Sequence, residues 1–283
     1  RGDHNTLYNK FLFTPRVTAK YSFTDNLILR LSAGRGFHSP LLFADNLWTL
    51  STGRGVSLDD FRKRFELEEA WTYGGNITAY LPFGYENNSY ISFEFFRSDF
   101  INQLIVDQEN TYLEPIAVYN LKDVPNGRSF TNTYQADFSS DITENLNLVL
   151  TFRYTDAKVT LRGKGLVERP LVSRYKAVLN AQYKTRLSKW IFDLTCQLNG
   201  PARLPNFCEK EFSEIYPMLY AQITRKFKGF DIYIGVENIT NYRQKDPIIK
   251  ADAPFSRDFN ASVVWGPLMG TKGYLGLRYT LWK

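Results

Sequence analysis

What most limits the fold of this chain is an alternation: apolar and polar residues trade places with a period of two along most of its length. In residues 11–23, FLFTPRVTAKYSF, one face carries Phe13, Val17, Ala19, Tyr21 and Phe23, and the other carries Arg16, Thr18, Lys20 and Ser22. The next stretch, after Thr24-Asp25-Asn26, sets Leu27, Leu29, Leu31 and Ala33 against Arg30 and Ser32. Further on, Trp71, Tyr73, Ile77 and Ala79 oppose Thr72, Asn76 and Thr78, and Leu146, Leu148, Leu150, Phe152 and Tyr154 oppose Asn147, Thr151 and Arg153. In all there are about eleven such spans, most near the ten residues with which a tilted strand crosses a bilayer. No run of about 18 apolar residues occurs, which excludes a transmembrane helix, whereas a membrane-spanning strand needs only every second residue apolar.

The connections alternate between short and long. Thr24–Asn26, Phe83–Asn88, Thr143–Asn145, Arg186–Ser188 and Lys228–Gly229 are short, with turn chemistry throughout. Between them lie long connections at about Gly36–Glu66, Gln108–Ile116, Asp156–Arg169, Gly200–Ile215 and Asn241–Arg257. In an up-and-down meander every second connection lies at the same end, so the long loops gather at one mouth and the tight turns at the other. The expected fold is all-β, an antiparallel meander with no linker and no second domain within residues 1–283.

Alternation also suits a soluble sandwich. Three features favour a transmembrane barrel instead. The strands are long and follow simple meander order. The polar face carries many full charges (Arg16, Lys20, Arg30, Glu94, Arg153, Arg174, Lys176, Asp193, Arg278), as a wet lumen would. Aromatic residues, 16% of the chain, sit near the ends of the apolar rows at Tyr21, Phe23, Trp71, Tyr154, Tyr183, Trp190 and Tyr279, where headgroup girdles form.

The net charge of +6 would permit nucleic-acid binding, but the basic residues are scattered rather than clustered, so no nucleic acid is expected as a partner. Two cysteines, Cys196 and Cys208, make neither a disulfide scaffold nor a zinc site, and are read as free thiols. With two histidines, His4 and His38, and no Ser/Asp constellation beside either, no catalytic residue, metal or cofactor is expected. Neither a Met start nor a signal peptide is present at Arg1, so a processed chain or a piece of a longer one is expected.

Several segments, in order, resemble the C-terminal half of the barrel of a Bacteroidetes-type TonB-dependent outer-membrane receptor. FLFTPRVTAKYSFTDNLILRLSAGRGFHSP is similar to that family's PR-containing strand, periplasmic turn, second strand and Gly-x-Gly-Phe element. FELEEAWTYGGNITAYL resembles the next descending strand, IGVENITNYRQKDPII the strand-to-loop element, and VVWGPLMGTKGYLGLRYTLW the closing strand. Two departures stand out: His38 where the family usually has Arg, and Asp45-Asn46 where Glu-Asn is common. The chain's last strand, with Gly276, Tyr279 and Leu281, resembles the C-terminal signal that the barrel-assembly machinery reads, with Lys283 after Trp282 departing from the usual terminal aromatic.

The resemblance implies a 22-stranded barrel of which this is the second half, with the first half and an N-terminal plug outside this chain. It implies import of a scarce nutrient, such as a ferric chelate or cobalamin, driven by the TonB complex and the proton-motive force. Outer-membrane lipid and possible surface lipoproteins are the remaining partners. Loop residues that stack or carry positive charge are then the expected ligand contacts: Arg35, His38, Trp48, Arg54, Tyr112, Arg162, Lys164, Arg203, Tyr242 and Arg243. Arg16, Lys20, Arg30, Arg153 and Arg174 are expected to face the lumen or the plug and to pair with its carboxylates or those of the wall. A SusC-like glycan importer, a passive porin and a soluble carbohydrate-binding β domain remain as alternatives.

Overall fold

The computed structural model describes residues 1–58, 65–109 and 114–281. Tyr112 and the Trp282-Lys283 end lie outside the described residues. In chain order the strands are β1 (Gly2–Asn5), β2 (Lys10–Phe13), β3 (Arg16–Thr24), β4 (Leu27–His38), β5 (Val56–Leu58) and β6 (Glu68–Leu81). Next come β7 (Ser89–Asn102), β8 (Leu104–Asp107), β9 (Ile116–Asn120), β10 (Ser129–Thr143), β11 (Leu146–Leu161) and β12 (Gly165–Glu168). The chain continues through β13 (Tyr175–Lys184), β14 (Trp190–Asn199), β15 (Tyr216–Lys226), β16 (Phe230–Glu237) and β17 (Lys272–Tyr279).

Eleven of these form one antiparallel meander in the order β3-β4-β6-β7-β10-β11-β13-β14-β15-β16-β17, and β12 folds back on β11. The expected wall is therefore present. One boundary differs: residues 11–23 are not one strand. The chain breaks at Thr14-Pro15, because a proline has no N–H to give to a ladder. The segment before the break, β2, pairs with β1 as a separate two-stranded ribbon.

Two of the tight turns share one design. Thr24-Asp25-Asn26-Leu27 and Thr143-Glu144-Asn145-Leu146 each pair the Thr with the Leu across a two-residue loop. In each, the Thr hydroxyl accepts the backbone N–H of the Asn, at 3.2 Å for Asn26 and 3.3 Å for Asn145. The side chain thereby satisfies a donor that the ladder leaves open. The last turn is made by Gly229, whose φ of +87° lies in the region other residues avoid.

The register aligns like with like across the strands. Leu27, Ala79, Ile91, Phe138, Leu150, Leu179, Cys196 and Leu219 form one continuous apolar row across eight strands. Phe95, Tyr134, Tyr154 and Tyr175 form an aromatic row nearer the long loops. These side chains find no protein layer: Val17 is 68% exposed, Leu194 51% and Leu275 74%. On the opposite face, neighbouring polar groups bond across strands, as in Thr151 Oγ1 to Asp137 at 2.7 Å and Gln182 Nε2 to Asp193 at 2.7 Å.

The buried core lies elsewhere, among the long connections. Ile105, Tyr119, Leu121, Val124, Val159 and Leu161 pack together there, all under a tenth exposed. Two of the long connections extend beyond their expected limits, and a third is displaced. The one after β7 runs from Gln103 to Arg128 rather than from Gln108 to Ile116, and holds β8 and β9. β5, from the connection before β6, adds to β9 in parallel, giving a small three-stranded sheet β5-β9-β8. The strand β11 reaches Leu161, past the expected end at Asp156, and the final long connection spans 238–271 rather than Asn241–Arg257. The missed pieces are three to five residues long, too short for a period to show.

Candidate functional site

The long connections are not independent loops but one cap, cross-linked by charge. At its centre is Glu109, whose side chain is 2% exposed. Arg203 reaches both of its oxygens, at 2.5 and 3.2 Å, and also donates to the Glu168 carbonyl at 2.6 Å. Lys164 lies 3.5 Å from the same carboxylate. Three connections thus meet on one buried acid, which two cations flank.

A second knot lies beside it. The Tyr119 hydroxyl donates to Asp107 at 3.0 Å and accepts the Arg162 backbone N–H at 3.2 Å, while the Arg162 guanidinium sits 4.1 Å over the tyrosine ring. Burial pushes the Tyr119 hydroxyl well above its ordinary pKa, so it stays a donor to Asp107. Arg54 is itself buried and donates at 2.9 Å to the carbonyls of Glu114 and Gln108. Of the cationic residues read as ligand contacts, Arg54, Arg162, Lys164 and Arg203 are therefore all engaged in building the cap.

At the strand tops, Arg35 pairs with Glu69, which Lys10 also reaches at 2.9 Å. His38 Nδ1 lies 2.9 Å from Glu68 and its Nε2 3.9 Å from Asp45. The two positions that depart from the family pattern, His38 and Asp45, are thus partners of each other.

Tyr242 belongs to another cluster. Its ring stacks on Tyr216 at 4.8 Å and its hydroxyl donates to Glu214 at 3.0 Å. Burial, and then this hydrogen bond, push the Tyr242 hydroxyl up to about 12. The turn beneath it is organised by Asn238, whose side-chain amide donates to the carbonyls of Tyr242 and Met269 and whose oxygen accepts the Tyr242 N–H at 3.1 Å. This is the physical content of the Asn-Ile-Thr-Asn-Tyr segment: one asparagine pins both ends of the last connection. Arg243 makes one long contact, 3.5 Å to Asn241.

Along the wall, Arg174 pairs with Glu168 at 2.7 Å and lies 4.2 Å over Phe212. Arg153 donates to Gln135 at 2.8 Å. Lys20 stands directly opposite Arg30, like charge against like, and neither these two nor Arg16 has an ion pair among the described residues. At the end of the sheet, Gly276 is required by close approach. A Cβ there would fall 2.2 Å from the Tyr233 ring, and one at Gly235 2.3 Å from Tyr274, so two tyrosines each cover the other strand's glycine. Tyr279 and Leu281 remain exposed, at 66% and 81%. Both cysteines are free, and burial pushes the Cys208 thiol up to about 11.

Within the cap is a cavity of about 390 Å³, lined by Trp48, Asp107, Glu109, Arg169, Leu171 and Ser262 among others. Trp48 was expected to contact ligand. Arg169 was not singled out, and nothing local marks it, since only the assembled cap brings it beside Trp48. Among the described residues no group of three or more His, Cys, Asp and Glu side chains is arranged to hold a metal ion.

Residues 1–239 match the family model described as TonB dependent receptor-like, beta-barrel. The chain belongs to this family. No curated protein matches it. The ferric enterobactin receptor PfeA of Pseudomonas aeruginosa is similar in structure, with a TM-score of 0.67 over 98% of this chain and 41% of that one, at 13% identity. The ferric-catecholate import receptor Fiu of E. coli K12 gives 0.62 over 95% of this chain and 35% of that one, at 14% identity. FpvAI in its complex with pyocin S2 gives 0.61 over 96% and 32%, also at 14% identity. The chain thus spans between about a third and two fifths of the length of these structural relatives, and the likeness is one of fold. The wall seen here is that of a TonB-dependent receptor barrel.

Proposed function

We propose that this chain is the C-terminal part of the barrel of an outer-membrane receptor of a Gram-negative bacterium. The receptor takes up a scarce nutrient, foremost a ferric chelate, and does so with TonB and the proton-motive force. On this reading a first barrel half and a plug complete the molecule, because β3 and β17 each pair on one side only and unpaired backbone has no water partner in lipid.

The observation that carries the reading is the contrast between the two ends of the wall. One end has turns of two to a few residues, and the other carries a folded cap with its own core, a buried ion-pair hub and a cavity lined by an indole and a guanidinium. A passive pore has no use for so ordered a lid, whereas a receptor must hold its ligand at the mouth before passage. The ferric-receptor neighbours support iron as the cargo.

The test is uptake of radioiron from a ferric catecholate by the native bacterium, with the full-length gene present, deleted or restored. Gene-dependent accumulation that a protonophore abolishes is the expected result. Equal accumulation with and without the gene would overturn the ferric reading, and gene-dependent entry that survives the protonophore would overturn the energised one.

A further inference from the structure

The apolar face of the wall is not evenly filled. In one register row Gly75 stands between Leu31 and Phe95, with Tyr134 next to Phe95. In the next row towards the tight turns, Ala136 stands between Phe93 and Phe152. Strand alternation puts all of these on one face, and the Phe95 and Tyr134 rings touch there, with centroids 4.9 Å apart. Gly75 has no side chain and Ala136 only a methyl, so the bulky neighbours bound a groove of about 460 Å³. The gap at Gly75 is set by the backbone, because a Cβ there would fall 2.5 Å from the Arg30 carbonyl oxygen. Phe93, Tyr134 and Phe152 are each about half exposed, so the groove opens outwards.

Past the aromatic row the same face turns polar. β10 and β11 stay paired for five more residues, to Ser129 and Val159, and the positions on this face carry Asn132, Asp156 and Lys158, with Arg97 and Asp99 on β7. Both acids are matched. Asp99 accepts Arg97 at 2.6 and 2.7 Å and the Tyr73 hydroxyl at 2.8 Å. Asp156 accepts Asn132 at 3.2 Å and lies 3.4 Å from Lys158. Arg97 is held further by the Phe130 ring, 4.4 Å beneath it. Two cations keep donors to spare. Lys158 is 42% exposed and has that single contact. Arg128 continues the ladder of β10, its carbonyl accepting the Thr160 N–H, and its side chain makes no ion pair or hydrogen bond among the described residues. The two are diagonal neighbours across β10 and β11, within reach of one anion. Lys158 lies four residues past Tyr154, about 14 Å along the strand and less in height for a tilted barrel strand.

We propose that this groove seats an acyl chain of a membrane lipid whose headgroup phosphate is held by Lys158 and Arg128. The inference rests on the outer-membrane reading of the wall. Charge complementarity selects the occupant: an apolar groove below and two available cations above match an amphiphile with an anionic head. A free anion gains nothing from the groove, and an uncharged lipid gains nothing from the cations.

The test uses the full-length receptor, purified in detergent, stripped of lipid and observed by native mass spectrometry. It is titrated with phosphatidylglycerol, with diacylglycerol of the same chains and with glycerol phosphate. Phosphatidylglycerol should be retained as a single adduct about tenfold or more over diacylglycerol, through its charge-assisted hydrogen bonds, and glycerol phosphate should not be retained. Arg128→Gln combined with Lys158→Gln should abolish the preference between the two lipids, and Arg243→Gln should keep it. Ala136→Trp should weaken both lipids by filling the groove, whereas Leu179→Trp on the same face should weaken neither. Heat-modifiable mobility reads whether each variant assembles, and Ala136→Leu fills the groove with a smaller group if the indole prevents assembly. Equal retention of the two lipids, retention of glycerol phosphate, the same preference in the double variant, or unchanged retention in the filled groove would overturn the assignment. Cell fractionation keeps the two readings apart. A receptor in the outer-membrane fraction that retains no lipid removes the groove assignment alone, and a receptor in the soluble fraction removes the membrane reading as well.

Discussion

The wall and the cap of this protein are stabilised by different means. In the wall, backbone ladders do the holding, and no protein layer covers the side chains of one face among the described residues, so Leu194 and Leu275 are more than half exposed. In the cap the ladders are short, and a compact core with a charged hub does the holding, so Leu121 and Val118 are 1% and 0% exposed. The wall has a solvent to match its apolar face, namely lipid, and needs no core. The cap instead buries a core of its own. The same chain therefore folds under two rules.

The largest expected effect that sharpens this comparison comes from the hub. Glu109→Gln leaves Arg203 without its carboxylate in a buried place and should destabilise the cap by about 3–5 kcal/mol. Hydrogen exchange should rise sharply in the connections around 103–128 and 162–174 while strands β13 to β16 keep their protection. Equal loosening of the wall would show that cap and wall are one cooperative unit.

A charge on the lipid face makes the converse test. Leu194→Arg, in the apolar row of β14, should cost about 2–4 kcal/mol if the residue lies near the bilayer midplane. Heat-modifiable mobility of the assembled receptor would report it as lost folded barrel, with the cap core untouched wherever the barrel does fold. A neutral outcome would mean that this face does not meet hydrocarbon.

The smallest effect is chemical. The Cys208 thiol ionises at about 11 instead of near 9, because burial and the field of Glu109 disfavour the thiolate. Maleimide should therefore modify Cys208 slowly at pH 8, and its rate should keep climbing past pH 9 towards 11. On the sign of the shift, this thiol adds stability below pH 9 that is lost as pH rises through 11, once the unfolded chain ionises more readily than the folded one. A rate that levels off near pH 9 would place Cys208 outside the cap interior.

Most of the wall was legible in the residues. The Thr-Asp-Asn-Leu and Thr-Glu-Asn-Leu turns, the Gly229 turn and the apolar rows each state their structure within a few positions. Pro15 was equally visible as a ladder breaker, yet the alternation continuing across it suggested one strand where there are two. The cap was much less legible. β5, β8 and β12 are three or four residues long, too short to show a period, and β5 pairs with a strand of another connection.

By itself, the sequence determined that this protein is a meander of long strands with one apolar and one charged face, because strand period and turn sterics act over two to four residues. Which loop cations would be engaged and which would remain open was decided only by the tertiary structure. Glu109 and Arg203 stand 94 positions apart, and only the closed cap brings them within hydrogen-bond reach. Trp48 and Arg169 meet on one cavity by the same closure, since contact between distant side chains depends on the path of the whole chain rather than on the residues alone.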